Sequence, residues 1–281
     1  MIVGQEAWRQ WSAGLLSGER LGPRETPFGP SGAVFRIDDP AGTFYLLGRY
    51  GEGLEKTAPQ RVNARANLYA LKDLGVRAVL AWGAGGAVTH ELAVGDLVLL
   101  DDLIDQTHRH DKTFFENSPL GYLRQFPVFC PVLREAAGRA LGEMHLPYRV
   151  GGTGAVSNGP RLETPAEVRM LSMLGATVVT HNFAPEAFLA RELQLCYAAV
   201  CYIVGYAETG SRHRPFVPGG LFASAQRDRD PVASAVRALG PLSAKLAVEV
   251  AAAPEPCECA KAMADRVRDL GLSPDWHTWF A

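Results

Sequence analysis

The hydrophobic and polar positions of the chain alternate between short apolar runs and segments with helical spacing. Apolar residues dominate 43–47, 78–82 and 96–100, which predicts three strands, and residues 62–74 show helical spacing between the first two. A further apolar run lies at 198–204. Strands that are apolar throughout fit a sheet covered by helices on both faces, because a half-exposed strand alternates with polar residues. The pattern therefore predicts an α/β fold.

The second half of the chain carries clear signals for helix ends. Thr164 is followed by Pro165 and then by Glu167, which predicts a helix that begins with a capping box. Gly175 is expected to end that helix, and residues 185–193 are predicted to form the next one.

The alanine-rich C-terminal region is predicted to be helical. Residues 231–253 carry apolar side chains at helical spacing and are expected to form one long helix, which Pro254 and Pro256 end. A helical tail over 254–281 follows. With 281 residues, of which 47% are hydrophobic, the chain can bury one large core, so we predict a single domain over 1–281.

Composition and charge favour a small-molecule ligand. The 28 basic residues are balanced by 30 acidic residues, so neither nucleic acid nor an anionic membrane is an expected partner. The sequence contains no signal-peptide pattern and no apolar run of membrane length. The five cysteines are mostly scattered through apolar sequence. These features predict a protein of the reducing cytoplasm.

Cys257 and Cys259 form a C-x-C pair near the C terminus. The sequence has no second pair at the spacing that is typical of zinc sites, so we expect both residues to be ordinary thiols. No metal is predicted.

A glycine-rich segment and an arginine lie at the ends of two predicted strands. Residues 83–86 (GAGG) follow the strand 78–82, and backbone without side chains lets a ligand approach exposed N–H groups. A tight strand-to-loop turn is the alternative interpretation. Arg49 closes the strand 43–47, where its guanidinium can bind two oxygens of an oxyanion or form a surface salt bridge.

Longer motifs resemble the trimeric purine nucleoside phosphorylase and methylthioadenosine phosphorylase family. Residues 159–164 (GPRLET) are close to the family's GPxFET segment, residues 48–51 (GRYG) to its ARHG or GRFH, and residues 59–67 (PQRVNARAN) to its PxxVNYQAN. The match extends over roughly 26–250 and is most specific over 158–206. The resemblance implies a single domain with a twisted mixed β-sheet flanked by helices. It also implies a homotrimer with active sites at subunit interfaces.

The N-terminal segment 1–25 departs from the family pattern, because it lacks the glycine-hydroxyl loop GGTGL or GSGLG that cradles phosphate. The other phosphate contacts follow from the resemblance. Arg49 is implied to bind phosphate through its side chain, and Gly83 through its backbone N–H. Asn182 stands where the family has a hydroxyl residue, and its amide is implied to take over the donation to phosphate.

The resemblance also implies a base site. Ala84 and Gly85 are implied to form a platform beneath the purine, and Glu163 to accept an N–H of a 6-oxopurine. A charge that favours the helix N-terminus is the alternative role for Glu163. Beyond the strand 198–204, the family places asparagine or two aspartates against the base, whereas Gly205 stands here.

The catalytic candidates are His181 and Glu208. His181 lies where the family packs a methionine on the ribose, and a histidine there can exchange protons near neutral pH. Glu208 is the candidate replacement for the missing base-reading side chains, although strand alternation points it with Tyr206. In the resembled trimer, an aromatic or histidine side chain of the neighbouring subunit covers the ribose, and Phe115 or Tyr122 is the candidate here.

The predicted reaction is phosphorolysis of the N-glycosidic bond of a purine nucleoside, including a modified or 5′-modified one, to the base and ribose-1-phosphate. Inorganic phosphate is the expected co-substrate, and no cofactor is expected. Loss of one good donor typically costs about 10²–10³ in turnover, and this chain lacks several. Two alternatives therefore stay open: a phosphate-independent nucleoside hydrolase, and a non-catalytic nucleoside-binding homologue.

Overall fold

A mixed β-sheet of eleven described strands forms the centre of the computed structural model. The structure describes residues 1–4, 18–40, 42–51, 57–108, 111–207, 229–252 and 257–280. The strands are β1 (Ile2–Val3), β2 (Glu19–Gly22), β3 (Val34–Asp39), β4 (Gly42–Gly48), β5 (Ala78–Ala87), β6 (Leu97–Leu99), β7 (Asp102–Asp105), β8 (Tyr148–Val150), β9 (Thr153–Val156), β10 (Ala176–Thr180) and β11 (Cys196–Tyr206).

Helices cover both faces of this sheet. They are α1 (Ala64–Asp73), α2 (Pro131–Glu143), α3 (Pro165–Met173), α4 (Glu186–Glu192), α5 (Arg229–Arg237), α6 (Leu239–Ala252) and α7 (Ala264–Asp269). The core on one face includes residues of α1 and α4, and the core on the other face includes residues of α2, α5 and α6. Helix α3 packs on β10. The predicted α/β class, with a mixed sheet flanked by helices, is confirmed.

Strand β5 is the branch point of the sheet. It pairs in parallel with β11 along its whole length and with β1 at Ala81, whereas its end pairs antiparallel with β10 at Gly86 and Ala87. The main strand order is β2-β3-β4-β1-β5-β10-β9-β7, and β11, β6 and β8 continue from the other edge of β5. The ends of β4 and β10 therefore lie beside residues 83–85, in the second half of β5.

Side chains of β5 alternate between two cores. Val79 and Ala81 belong to the core on one face, whereas Leu80 and Trp82 belong to the core on the other. The same alternation runs along β11. This is why these strands are apolar at nearly every position, as a sheet buried on both faces requires.

The predicted start of α3 is confirmed. Thr164 accepts a hydrogen bond from the backbone N–H of Glu167, and the Glu167 carboxylate accepts one from the backbone N–H of Thr164, which completes the capping box. Pro165 occupies the first helical position. The turn after α3 contains Gly175 at a φ of +88°, a left-handed conformation that favours glycine.

The prediction of one long helix over 231–253 is wrong. The segment forms two helices, α5 and α6, with a turn at Ala238 between them. Pro241 lies in the first turn of α6, where its missing N–H and its ring are tolerated, but in a continuous helix it would remove a hydrogen bond and clash with the carbonyl of Arg237. Local proline chemistry therefore overrides the apolar periodicity.

The C-terminal segment is helical in part, with α7 lying between two 3-10 turns at Glu258–Lys261 and Trp276–Phe280. Phe280 packs on three rings of the main body, those of Phe28, Phe114 and Phe115. The last residues therefore contribute to the main core. Among the described residues, none of the helices is both long and apolar enough to cross a membrane.

Candidate active site

Arg49 follows β4 and is buried, with 4% of its surface exposed. Its Nε and Nη2 atoms donate to the two carboxylate oxygens of Glu186 at 2.6 and 2.9 Å. Its Nη1 atom donates to the backbone oxygen of Trp82 at 3.2 Å and to Asn182 Oδ1 at 3.1 Å. Of the five N–H groups of a guanidinium, these contacts leave at most one for a ligand.

Glu186 gives Arg49 a full counter-charge. Burial disfavours the charged guanidinium, but the adjacent Glu186 carboxylate outweighs this effect and raises the pKa of Arg49. Tyr197 adds a hydrogen bond from its hydroxyl to Glu186 Oε2 at 2.7 Å. The salt bridge considered as the alternative role of Arg49 is thus present, but it is buried rather than on the surface.

Asn182 lies beside this ion pair with both ends of its amide engaged. Nδ2 donates to Thr180 Oγ1 at 2.9 Å and to the backbone oxygen of Ala84 at 3.2 Å. Oδ1 accepts from Arg49 and from the Tyr50 hydroxyl, the latter at 2.8 Å. The side chain therefore orients Arg49, and donation to phosphate requires it to release one of these partners.

Gly83 and Gly85 lie where β5 packs tightly against its neighbours. A Cβ atom at Gly83 would lie 2.9 Å from the Asn182 side chain, and one at Gly85 would lie 2.5 Å from the sulfur of Cys201. Both glycines are thus required by close packing. The structure brings together Arg49, Gly83 and Asn182, the three residues expected at phosphate.

A second polar group joins two residues that were predicted for separate tasks. Ser157 follows β9, and its hydroxyl lies 2.5 Å from Glu163 Oε1 and 3.0 Å from His181 Nδ1. Glu163 Oε1 can only accept when ionised, so Ser157 donates to it and accepts from the histidine. The three residues form a continuous chain of hydrogen bonds.

This chain determines which nitrogen of His181 carries the proton. Nδ1 also lies 3.3 Å from the backbone oxygen of Ser157, which can only accept. Both contacts assign the hydrogen to Nδ1, an assignment that follows from the hydrogen-bond network. Nε2 then keeps its lone pair and has no partner among the described residues, so it is available to a substrate hydroxyl or a water.

The expected base platform lies next to these groups. Ala84 is partly exposed, and its backbone oxygen accepts from Thr180 Oγ1 at 2.7 Å. Gly205 pairs with Gly86 just after an irregularity in the β5–β11 register at Ile203. Glu208 lies outside the described residues.

The two candidates for covering a neighbour's ribose differ in their surroundings. Phe115 is buried and stacks on Phe280 at 5.5 Å between ring centroids. Tyr122 is 76% exposed. Tyr122 is therefore the one of the two whose ring is free to contact another subunit, whereas Phe115 serves the core of its own chain.

The polar residues of 59–67 support the site from a distance. Asn63 donates to the backbone oxygen of Phe28 at 2.7 Å, and Asn67 accepts from the backbone N–H of Gly32 at 2.7 Å. Gly32 packs against Gly48, just before Arg49. These asparagines thus hold the backbone that leads to Arg49 and do not touch its side chain.

Sequence reasoning missed three residues of the site. For Glu186 the available signal was an acidic residue directly before the apolar run 187–190 (AFLA). Ser157 and Tyr197 gave none, because their roles arise from contacts between distant strands.

Cys257 and Cys259 have two further thiols beside them, which the spacing of cysteines along the sequence did not indicate. Cys130 and Cys196 lie beside them, and the four sulfur atoms are all within 4.8 Å of one another. Sequence spacing does not reveal this second pair because it comes from two other parts of the chain.

The branched mixed sheet defines an α/β protein, with a candidate site of polar groups where the ends of β4 and β10 meet the second half of β5. Residues 25–229 match the family model described as the phosphorylase superfamily. The chain belongs to this superfamily, which confirms the resemblance seen in its motifs.

Relatives within the superfamily act on purine nucleosides according to their names. One relative is a probable 6-oxopurine nucleoside phosphorylase of Thermococcus kodakarensis. The two sequences are 39% identical over 201 residues, which cover 69% of this chain and 74% of the relative. Another is an S-methyl-5′-thioadenosine phosphorylase of Mycolicibacterium smegmatis, which is 39% identical to this chain over 213 residues. That alignment covers 74% of this chain and 78% of the relative.

A solved structure supports the fold over nearly the whole chain. The methylthioadenosine phosphorylase of Schistosoma mansoni, in complex with adenine, superposes with a TM-score of 0.79. The superposition covers 95% of this chain and 96% of the other, at 23% identity. The likeness at this identity concerns the fold alone.

Proposed function

We propose that the protein cleaves the N-glycosidic bond of a purine nucleoside by phosphorolysis. A phosphate oxygen bonds to C1′ of the ribose, the bond from C1′ to the base nitrogen breaks, and the base leaves with the electron pair and takes up a proton. The products are the free base and ribose-1-phosphate, with inorganic phosphate as co-substrate and no cofactor. Membership of the superfamily and the names of its relatives support this reaction.

The observation that carries the proposal is the convergence of Arg49, just after β4, Asn182, just after β10, and Gly83 within β5. Arg49 is already paired with Glu186, whose negative charge offsets that of the guanidinium. The electrostatic attraction between Arg49 and a bound phosphate is therefore weakened. Backbone N–H groups then supply much of the attraction. We therefore expect weak phosphate binding, with a KM for phosphate at or above about 1 mM, the upper end of the usual range.

Glu163 and His181 are proposed to contact the nucleoside. Glu163 Oε1 is held by Ser157, whereas Oε2 has no hydrogen-bond partner among the described residues and can accept the ring N–H of a 6-oxopurine. His181 Nε2 is proposed to accept a hydrogen bond from a ribose hydroxyl. Ala84, Gly85 and Gly205 are proposed to lie against the base.

Hydrolysis is the second candidate, and one observation favours it. Arg49 and Asn182 are almost saturated by internal hydrogen bonds, whereas His181 Nε2 is free to orient a water. Substitution of His181 by Gln separates the two reactions. Loss of a general base for water costs about 10²–10⁴ in turnover, whereas loss of a ribose contact leaves phosphate dependence intact.

The test is base release from inosine, adenosine and methylthioadenosine, each with and without phosphate. Release that requires phosphate supports phosphorolysis. Equal release without phosphate supports hydrolysis and contradicts the proposal. No release from any nucleoside under either condition sinks both enzymatic candidates for this panel and leaves nucleoside binding without catalysis.

We further propose that the protein is a homotrimer of single-domain chains over 1–281, working in the cytoplasm. The exposed ring of Tyr122 is proposed to cover the ribose of a neighbouring subunit. Superfamily membership and the exposure of this ring support the assembly.

A further inference from the structure

Four of the five cysteines meet at one point of the structure. Cys130 immediately precedes α2, Cys196 is the first residue of β11, and Cys257 and Cys259 lie at the 3-10 turn Glu258–Lys261. They are called the thiol cluster here. All four are free cysteines, and three distant parts of the chain contribute them.

The thiol cluster has the size of a tetrahedral site for one ion. Its sulfur atoms all lie within 4.8 Å of one another, and those of Cys196 and Cys257 are 3.3 Å apart. A zinc–thiolate bond of about 2.3 Å in tetrahedral geometry separates neighbouring sulfurs by about 3.8 Å. Small side-chain adjustments therefore suffice to place all four at bonding distance from a central ion.

The surroundings of the thiol cluster are suited to thiolates. Cys130 is the N-cap residue of α2, so it lies at the positive end of the helix dipole, which favours a thiolate. Arg191 lines the same small cavity as Cys130 and Cys259, and its Nε atom is buried without a hydrogen-bond partner among the described residues. A cation and a helix N-terminus offset the net negative charge of four thiolates around a divalent ion.

We propose that the thiol cluster binds one Zn²⁺ ion as a structural site. Four thiolates without a water or substrate position are typical of closed, structural zinc sites. A bridged iron–sulfur cluster fits less well, because its irons and sulfides would stand between the thiolates and hold them further apart. The five cysteines of this chain thus divide into four ligands and one core residue, Cys201, which is buried on β11 opposite Gly83 of β5.

The site fastens the C-terminal segment to the main body. Beyond the thiol cluster, Arg266 donates to the backbone oxygen of Tyr122 at 2.9 Å, and Phe280 stacks on Phe115. Zinc therefore holds the start of a segment that supports residues 113–122. Its loss is expected to loosen this segment and to lower the midpoint of thermal unfolding.

The test is the zinc content of the full-length protein, purified with a reductant and given one equivalent of Zn²⁺ before gel filtration. We expect about one zinc ion per chain by mass spectrometry, with four thiols protected from a thiol reagent until a chelator is added. The variants Cys257→Ser and Cys130→Ser are expected to retain less than about a tenth of the zinc. The matched control Cys201→Ala keeps the zinc content of the wild type.

Two results would overturn the proposal. One is wild-type protein that holds no zinc after reconstitution and whose five thiols react equally with and without chelator. The other is freshly isolated protein that contains a disulfide between Cys196 and Cys257 and that binds no zinc after this disulfide has been reduced. Both results are measured on the wild-type protein, so they can be obtained even if a serine variant fails to fold. Neither result depends on nucleoside cleavage.

Discussion

Glu186 determines what Arg49 is able to do for a ligand. Removing a buried guanidinium from water is costly unless a counter-charge and hydrogen bonds replace its hydration, and the two-point contact with Glu186 supplies both. The same contact reduces the charge that phosphate meets. Asn182 and Tyr50 then fix the remaining orientation of the guanidinium. The guanidinium is thus held in one orientation, but its electrostatic attraction for phosphate is reduced.

Glu163 offers the clearest test at the level of one residue. In Glu163→Gln the charged acceptor for a 6-oxopurine N–H is replaced by a neutral amide, which can donate to the ring nitrogen of a 6-aminopurine. We expect kcat/KM for inosine to fall about tenfold relative to that for adenosine, because a hydrogen bond to a charged group is worth about 1.5–3 kcal/mol. Steady-state kinetics on both nucleosides measures the ratio.

Glu167→Gln is the matched control for this experiment. Glu167 lies four residues further on, caps α3 and pairs with Arg161 at the surface, so its substitution leaves the ratio of the two substrates unchanged. An unchanged ratio in Glu163→Gln would show that Glu163 serves only the hydrogen bond with Ser157.

The segment 113–122 depends on a buried carboxylate of α4. Glu192 accepts from Thr113 Oγ1 and from the backbone N–H of Phe114, both at 2.7 Å. Burial raises the pKa of Glu192 to about 7, and the two donors only partly oppose this effect. The carboxyl group is therefore half protonated near neutral pH.

The pH dependence of stability follows from this shift. The unfolded pKa of a glutamate is about 4.3, so the folded state binds the proton more tightly, and the resulting stability is lost as the pH rises from about 4.3 to about 7. In Glu192→Gln, which resembles the protonated form, we expect a smaller decline of the unfolding midpoint between about pH 5 and about pH 8. Thermal unfolding across this range measures it.

Glu135→Gln is the control, because Glu135 is exposed and its one ion pair within the described part of the chain is with Arg139 on the surface. Its unfolding midpoint is expected to follow that of the wild type at every pH. A Glu192→Gln variant with the same pH dependence as the wild type would contradict the assigned protonation of Glu192.

Elements were predictable where their signals are local. The capping box of α3 and the strands β5 and β11 follow from residues adjacent in sequence. Pro241 was the local signal for the break between α5 and α6, but the prediction rested on the apolar periodicity of the whole segment. By contrast, the hydrogen-bonded chain from Glu163 to His181 joins the loop after β9 to the end of β10, and no local pattern encodes that proximity.

At the scale of the molecule, motif resemblance identified the superfamily and the fold. It did not predict which residues far apart in the sequence contact one another. The ion pair of Arg49 with Glu186 joins residues 137 positions apart. The thiol cluster draws on three segments in the same way. Such groups depend on the packing of strands and helices, so their chemistry becomes visible only once the fold is known.

The proposed trimer makes a prediction about Tyr122. Light scattering is expected to give about three times the chain mass of 30.3 kDa. Tyr122→Ala is expected to keep this mass but to lower kcat/KM at least about tenfold, since loss of an aromatic contact that excludes water weakens transition-state binding. Kinetics with inosine under saturating phosphate checks the loss.

Phe126→Ala is the matched control, because Phe126 is also exposed but lies outside 113–122. Its kcat/KM is expected to stay close to that of the wild type. A monomeric mass, or equal effects of the two substitutions, would contradict the proposed role of Tyr122.

The most direct test of the central claim is the identity of the sugar product formed from inosine and inorganic phosphate. Phosphorus NMR of a completed reaction is expected to show ribose-1-phosphate in an amount equal to the hypoxanthine released. Free ribose in place of the sugar phosphate, with no phosphate consumed, would contradict phosphorolysis and establish hydrolysis instead.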